Sequence, residues 1–301
     1  MPDATPPRII DAHHHLWDLS GRMQHTWLAE RGVTRFFGDP SPIQRDYHTP
    51  DFRADIGELP VTGSVFVQCG VAEDDAVAET RYAQEQADEH GLVRATVAFC
   101  DLTADGFESV LDAHRQSPAL RGIRQIVGRD AAEDARNGTN ALLDDPRFLD
   151  GLRTLAARGL SFDLQLTPPL LTPALKRFSR VEDLTVAICH AGSPQDLSRD
   201  GLRRWQRDLA EFARRPNTIC KLSGFGMFDH DWTLASLRER VLRAIDAFGP
   251  ARCAFGSNFP VDRLYRSYAD TMRAYLTLTD GFTRTERAAM FADVAEEFYR
   301  I

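Results

Sequence analysis

Two histidines two residues apart, His13 and His15, stand at the end of an apolar, β-branched run, Arg8-Ile9-Ile10-Asp11-Ala12-His13-His14-His15. Side chains of a strand alternate between its two faces, so Asp11, His13 and His15 are expected on one face and His14 on the other. Two imidazoles so spaced can hold one metal ion, or grip one small substrate between them. The apolar lead-in favours a buried strand over a His-rich surface turn. His-x-His is a weak motif alone; its place at the end of the first predicted strand gives it weight. The same kind of position recurs down the chain, where polar residues close one apolar run after another. They are Asp101, then Arg124, Gln125 and Arg129, then Asp163 and Gln165, His190, Lys221 and Ser223, and Ser257-Asn258.

The apolar runs that carry these residues are predicted strands over 9–15, 64–69, 92–101, 120–127, 160–166, 184–190, 218–223 and 253–257. Helical patterns fill most of the intervals: 76–90 with Gly91 as its stop, 109–116, 146–158 closed by Gly159, 173–180, 201–214, 234–248 and the tail 283–299. Short apolar strands alternating with helices indicate a parallel sheet wrapped by helices. Eight such units in a chain of this length predict an α/β fold, a single-domain (β/α)8 TIM barrel over residues 1–301. No glycine-rich phosphate turn follows the first strand, which argues against an open doubly wound sheet. Active sites of such barrels lie at the C-terminal ends of the strands, which is where the polar residues collect. Burying so many polar groups without partners or a ligand would be costly. Residues 19–60, irregular and holding Trp27, Phe36, Phe37, Tyr47 and Phe52, are expected to form an insertion or cap after the first strand. Residues 130–145, rich in Gly, Asn and Asp, are expected to form a mobile lid.

Composition narrows the partners. The chain has 301 residues and a formal net charge of −8, which gives no electrostatic reason to bind nucleic acid or an anionic membrane. No apolar run reaches the roughly 20 residues of a membrane span, and residues 1–7 are polar and Pro-rich with no sign of a signal peptide. Five cysteines, without a C-x-x-C, fit buried thiols in a reducing cytoplasm. Phe178, Phe212 and Phe248 are expected in the core, and the run Arg203-Arg204-Trp205-Gln206-Arg207 on a solvated helix face. His25, His48, His90, His114 and His230 are expected at the surface, with His230, flanked by Asp229 and Asp231, at the barrel mouth.

The segments IIDAHHHLWD, RGIRQIV, ICHAG, CKLSG and FGSNFPVD occur in that order across nearly the whole chain. Together they resemble the amidohydrolase superfamily, and within it the amidohydrolase-2 branch, which includes fuconolactonase-like proteins and the pyrone-dicarboxylate lactonase. The resemblance implies a TIM-barrel hydrolase whose site uses His13, His15 and His190, with Arg124, Gln165 and Lys221 as substrate-binding groups. The family carries an Asp after the eighth strand as the general base that activates water. Here that position is Asn258, and an amide cannot take a proton at neutral pH. Asn258 can still hydrogen-bond water or substrate. The next carboxylate is Asp262, which Pro260 and the intervening turn are expected to carry off the strand axis; a site histidine is the other candidate base.

Two-metal relatives add a Lys or Glu after strand four and a His after strand five, where this chain offers Gln125 and Gln165, so a binuclear site is not expected. One zinc on His13, His15 and His190 is chemically adequate, and metal-free polarisation of a lactone carbonyl by the same imidazoles and Arg124 is the alternative. The resemblance thus implies a hydrolase that opens a small lactone of a sugar acid or of an aromatic-degradation intermediate, with a substrate carrying carboxylate or hydroxyl groups. The alternatives are a mononuclear zinc amidohydrolase or decarboxylase on the same scaffold, and a non-catalytic binder that lost its base at Asn258.

Overall fold

The computed structural model describes residues 6–129 and 131–301. Its centre is an eight-stranded parallel sheet in the order β1 to β8, each strand paired with the next in sequence. The strands are β1 (Ile9–His14), β2 (Val61–Val67), β3 (Val93–Ala98), β4 (Leu120–Ile123), β5 (Ser161–Leu164), β6 (Val186–Ile188), β7 (Thr218–Leu222) and β8 (Cys253–Phe255). Backbone bonds across the ends of β1 and β8 close the ring: Asn258 N–H donates to the His13 carbonyl at 2.7 Å, and His15 N–H to that of Phe259 at 2.7 Å. The (β/α)8 barrel predicted from the alternation is the fold observed.

Helices between the strands present their apolar stripes to the outside of the barrel. Phe178 and Phe212 are fully buried and Phe248 nearly so, as the pattern predicted. The helix Arg199–Ala213 starts where Ser198 accepts from Gly201 N–H, and the helix Leu234–Phe248 starts on a reciprocal Thr233–Ser236 capping box. The predicted terminal helix is interrupted by a π-helical turn, Ala289–Asp293, before Val294–Tyr299. That last segment packs against Ile10, Ala12, Ala187, Ile219 and Ala254, and Tyr299 against Val65, Val67, Ala95 and Val97. One short segment touching strands all round the ring seals one end of the barrel.

Several strands stop earlier than the apolar pattern predicted: β4 at Ile123, ahead of Arg124, and β6 at Ile188, ahead of His190. The backbone leaves the sheet where the polar residues begin. Residues 19–60 run between β1 and β2, with short helices Thr26–Ala29 and Thr49–Ile56. Of the segment expected as a lid, Asp130 lies outside the described residues; the rest holds the helix Ala131–Asn137 and the turn Thr139–Asp144. No helix among the described residues is long and apolar enough to cross a membrane.

Candidate active site

The ends of β1 and β6 bring three imidazoles together. The ring centroids of His13 and His15 lie 5.1 Å apart, and those of His13 and His190 4.6 Å apart. The register of β1 against β2 shifts between Asp11 and His14, and strict alternation fails there. Asp11, expected beside the two histidines, accepts instead from the backbone N–H of Ser257 at 2.9 Å and of His13 at 3.1 Å, which ties β1 to β8. His14 turns to the other side and stacks on Phe52 at 4.3 Å.

The backbone around the cluster is strained. His190, Ala191, Ser193 and Asn258 all have φ between 50° and 58°, a region that non-glycine residues rarely adopt. Such strain persists only where surrounding structure holds it, and it gathers at functional sites. Trp205 supplies part of the hold: its indole N–H donates to the Ala191 carbonyl at 2.7 Å. This corrects the expectation for the Arg203–Arg207 run, since Trp205 is buried. Two glycines make room for the rings. A Cβ on Gly224 would lie 2.5 Å from His190 Nδ1, and one on Gly256 would lie 2.8 Å from His13 Cβ.

Burial disfavours the charged form of each ring. It pushes His15 down to about 3, and holds His13 and His190 well below the usual histidine range. His15 Nδ1 lies 2.7 Å from the Val67 carbonyl oxygen. A carbonyl only accepts, so the neutral ring carries its proton on Nδ1 and presents a lone pair at Nε2. His190 Nδ1 meets the Ser223 hydroxyl at 2.9 Å. Neither nitrogen of His13 has a partner, although the ring is fully buried. Neutral imidazoles are the right donors for zinc in kind. Their arrangement does not complete a site: among the described residues, no three His, Cys, Asp or Glu side chains are placed to hold an ion. The three rings supply the donor type for one metal without already converging on an ion in this side-chain arrangement.

Asn258 and Asp262 are brought together. The Asn258 amide donates through Nδ2 to Asp262 Oδ1 at 2.9 Å, because the turn Val261–Leu264 folds back onto the end of β8. The expectation that the turn would carry Asp262 away is thus corrected. Burial pushes the Asp262 carboxyl up to about 7, against the opposing hydrogen bonds from Asn258 and the Gly226 backbone. With Nδ2 on Asp262, the Asn258 amide also lies within side-chain hydrogen-bonding range of His15.

A cavity of about 400 Å³ opens over these residues and is lined by His15, His190, Asn258, Arg124 and Gln165 on its polar side. His13 lies behind this wall with no exposed surface. Arg124 Nη1 donates to Gln165 Oε1 at 2.8 Å and Nη2 to the Gln68 carbonyl; its Nε–H has no partner. Lys221, expected to bind substrate, does not reach the cavity. It is fully buried and ion-paired with Asp163, whose two oxygens also accept from the Tyr299 hydroxyl at 3.0 and 2.9 Å. The polar pattern at the end of β7 could not reveal that Lys221 already has a partner across the barrel.

Other lining residues escaped the sequence reading. The insertion after β1 contributes Trp27, Glu30, Arg35, Phe36 and Phe37, and β7 is followed by Met227. Their aromatic content was the available signal; their direction was not. Arg129 pairs with Glu133 at 3.2 Å at the rim. His25 and His114, expected at the surface, are buried, the latter between Thr80 Oγ1 and the Phe99 carbonyl. His230 is at the mouth but stacks on Tyr265 at 4.3 Å and does not line the cavity.

Comparisons with known proteins agree with this fold. An uncharacterised protein of Sinorhizobium fredii is 35% identical over 97% of this chain and 98% of its own length. The L-fucono-1,5-lactonase of Burkholderia ambifaria is 30% identical over 97% of this chain and 95% of its own length. The crystal structure of an amidohydrolase from Burkholderia multivorans with bound zinc superposes with a TM-score of 0.83, at 26% identity, covering 98% of this chain and 99% of that one. The amidohydrolase family model Amidohydro_2 matches residues 10–301, and the chain belongs to that family.

Proposed function

We propose that the protein is a hydrolase that opens a small lactone by attack of water on the ring carbonyl. The observation that carries the reading is the His15 Nε2 lone pair on the same cavity wall as the Asn258 amide and Arg124. The lactonase relative supports the choice of a cyclic ester over an amide.

The attacking water donates to His15 Nε2 from the cavity side, next to the Asn258 amide. Its oxygen attacks the carbonyl carbon as its proton passes to His15. The carbonyl π pair moves to oxygen, and the oxyanion is stabilised by the positive charge of the Arg124 guanidinium and by His190 on the same wall. Collapse of the tetrahedral adduct breaks the ring C–O bond, and the alkoxide takes the proton back from the His15 imidazolium. Burial keeps His15 neutral at pH 7, which leaves its lone pair available but makes it a weak base, so proton transfer to it is coupled to the oxyanion that forms beside it. His13 packs against both rings and sets their spacing. Asp262 holds the Asn258 amide in orientation. Gln165 and the Arg129–Glu133 pair are placed to take hydroxyl or carboxylate groups of the substrate.

The product acid releases a proton, so a pH-indicator assay over a panel of sugar-acid and other lactones tests the reading. Turnover above the buffer rate that disappears in His15→Ala is expected. A protein inert to the whole panel contradicts it. We also infer a reducing compartment, the cytoplasm, which is supported by five buried, free cysteines.

A further inference from the structure

The cavity has two unlike walls. One is polar and carries His15, His190, Asn258 and Arg124. The other comes from the insertion after β1 and sets three aromatic rings beside the Arg35–Glu30 ion pair. Trp27 is anchored there by its indole N–H on the Cys69 carbonyl. The Phe37 ring stands edge-on to Trp27 at 5.6 Å, and Phe36 stands edge-on to Phe37 at 5.1 Å. Phe36 is 37% exposed, and of the large exposed hydrophobics among the described residues it alone borders the cavity. A side cleft continues past it between Gly128, Leu166 and Phe228. A single six-membered lactone engaged on the polar wall leaves these rings in water. Exposed apolar surface contiguous with a polar reaction centre marks a place for an apolar group of the ligand.

We propose that Trp27, Phe36 and Phe37 form a subsite for a flat apolar substituent, so that the preferred substrate is an aryl-substituted lactone. This deepens the lactonase reading and rests on it for the reacting group. A cavity of about 400 Å³ lies in the range of sites that bury drug-sized ligands, about 300–1,000 Å³, and accommodates a lactone ring with an aryl group attached. The segregation of the walls sets the orientation: the ester at the imidazoles, the aryl group beneath the insertion.

The test compares two δ-lactones, one with phenyl and one with methyl on the carbon beside the ring oxygen, each rate divided by its own hydrolysis in buffer. Added apolar groups in a fitted pocket change kcat/KM by about tenfold or more. The native protein is expected to favour the phenyl lactone by at least about tenfold. Phe36→Ala is expected to cut that preference several-fold, and Phe36→Leu to keep an intermediate value. No phenyl preference, or an undiminished one in Phe36→Ala, overturns the subsite while leaving the lactonase reading intact. If neither lactone is turned over, the lactonase reading is decided by the wider lactone panel, and the subsite is judged by binding. Tryptophan fluorescence titrations with the two ring-opened hydroxy acids then show tighter binding of the phenyl acid, weakened in Phe36→Ala, or equal binding that rejects it.

Discussion

Two of the polar clusters buried in this barrel differ in one respect. Lys221, Asp163 and Tyr299 are fully buried and satisfy one another by an ion pair and two hydroxyl contacts. His13, His15 and His190 are equally buried, yet both His13 nitrogens lack a partner and the backbone at His190 is strained. Satisfied buried polarity adds rigidity and leaves nothing to react. Unsatisfied buried polarity is costly, and this cluster adjoins a cavity that a ligand can enter. The contrast moves Lys221 out of the binding set, although its place at the end of a strand is formally the same as that of Arg124. Glu79 falls between the two: one oxygen accepts from the Cys69 N–H at 2.7 Å and the other has no partner.

Breaking the satisfied cluster is expected to have the largest effect. Asp163→Ala leaves the Lys221 charge buried and unpaired and should cost about 3–5 kcal/mol of stability, read as a lowered denaturant midpoint. A loss below about 1 kcal/mol would mean that water reaches the pair. His15→Ala should do the reverse, lowering kcat/KM on a lactone by about a hundredfold or more while the thermal midpoint stays within a few degrees. A variant that unfolds instead would place His15 with the structural cluster.

Glu79→Gln tests the intermediate case through pH. Burial raises the folded carboxyl from its ordinary 4.5 to about 7. The folded state therefore binds the proton more tightly, and the resulting stabilisation is full below about 4.5 and lost as pH rises through about 7. Relative to Glu79→Gln, the native protein should weaken between pH 5 and 8 by roughly 2 kcal/mol, measured as the difference in melting temperature at the two pH values. Parallel curves would show that Glu79 is not buried in solution.

Asn258→Asp puts two carboxyls where an amide and a carboxyl now share a hydrogen bond. Like charges so close are expected to share one proton, and activity should fall by about tenfold. A gain would show that position 258 serves the base role and that His15 does not. The smallest effect expected is that of a chelator. Because no step of the proposed mechanism uses an ion, lactone turnover should survive exhaustive chelation, with metal content measured on the same sample. Activity lost on chelation and restored by zinc would mean that the rings rearrange around an ion.

How much of this was legible follows from the range of each interaction. Alternating apolar runs and helical stripes are local patterns, so the eight strands, the barrel and the residues at its mouth could be read from order alone. His13, His15, His190 and Arg124 were found because they close those runs. What tertiary structure decided was which of these residues already had partners. Lys221 meets Asp163 from another strand and Tyr299 from the far end of the chain, and no spacing encodes that meeting. The turn after Pro260 brings Asp262 back onto Asn258, against the expectation from its distance along the chain. The aromatic wall was visible as composition in residues 19–60, but its direction depends on how the insertion crosses the barrel. The sequence by itself determined the barrel and where its chemistry collects, because periodicity and strand ends are local. Only the fold decided which buried charges are spent on one another and which stay free for a substrate, because that depends on contacts between residues far apart in the chain.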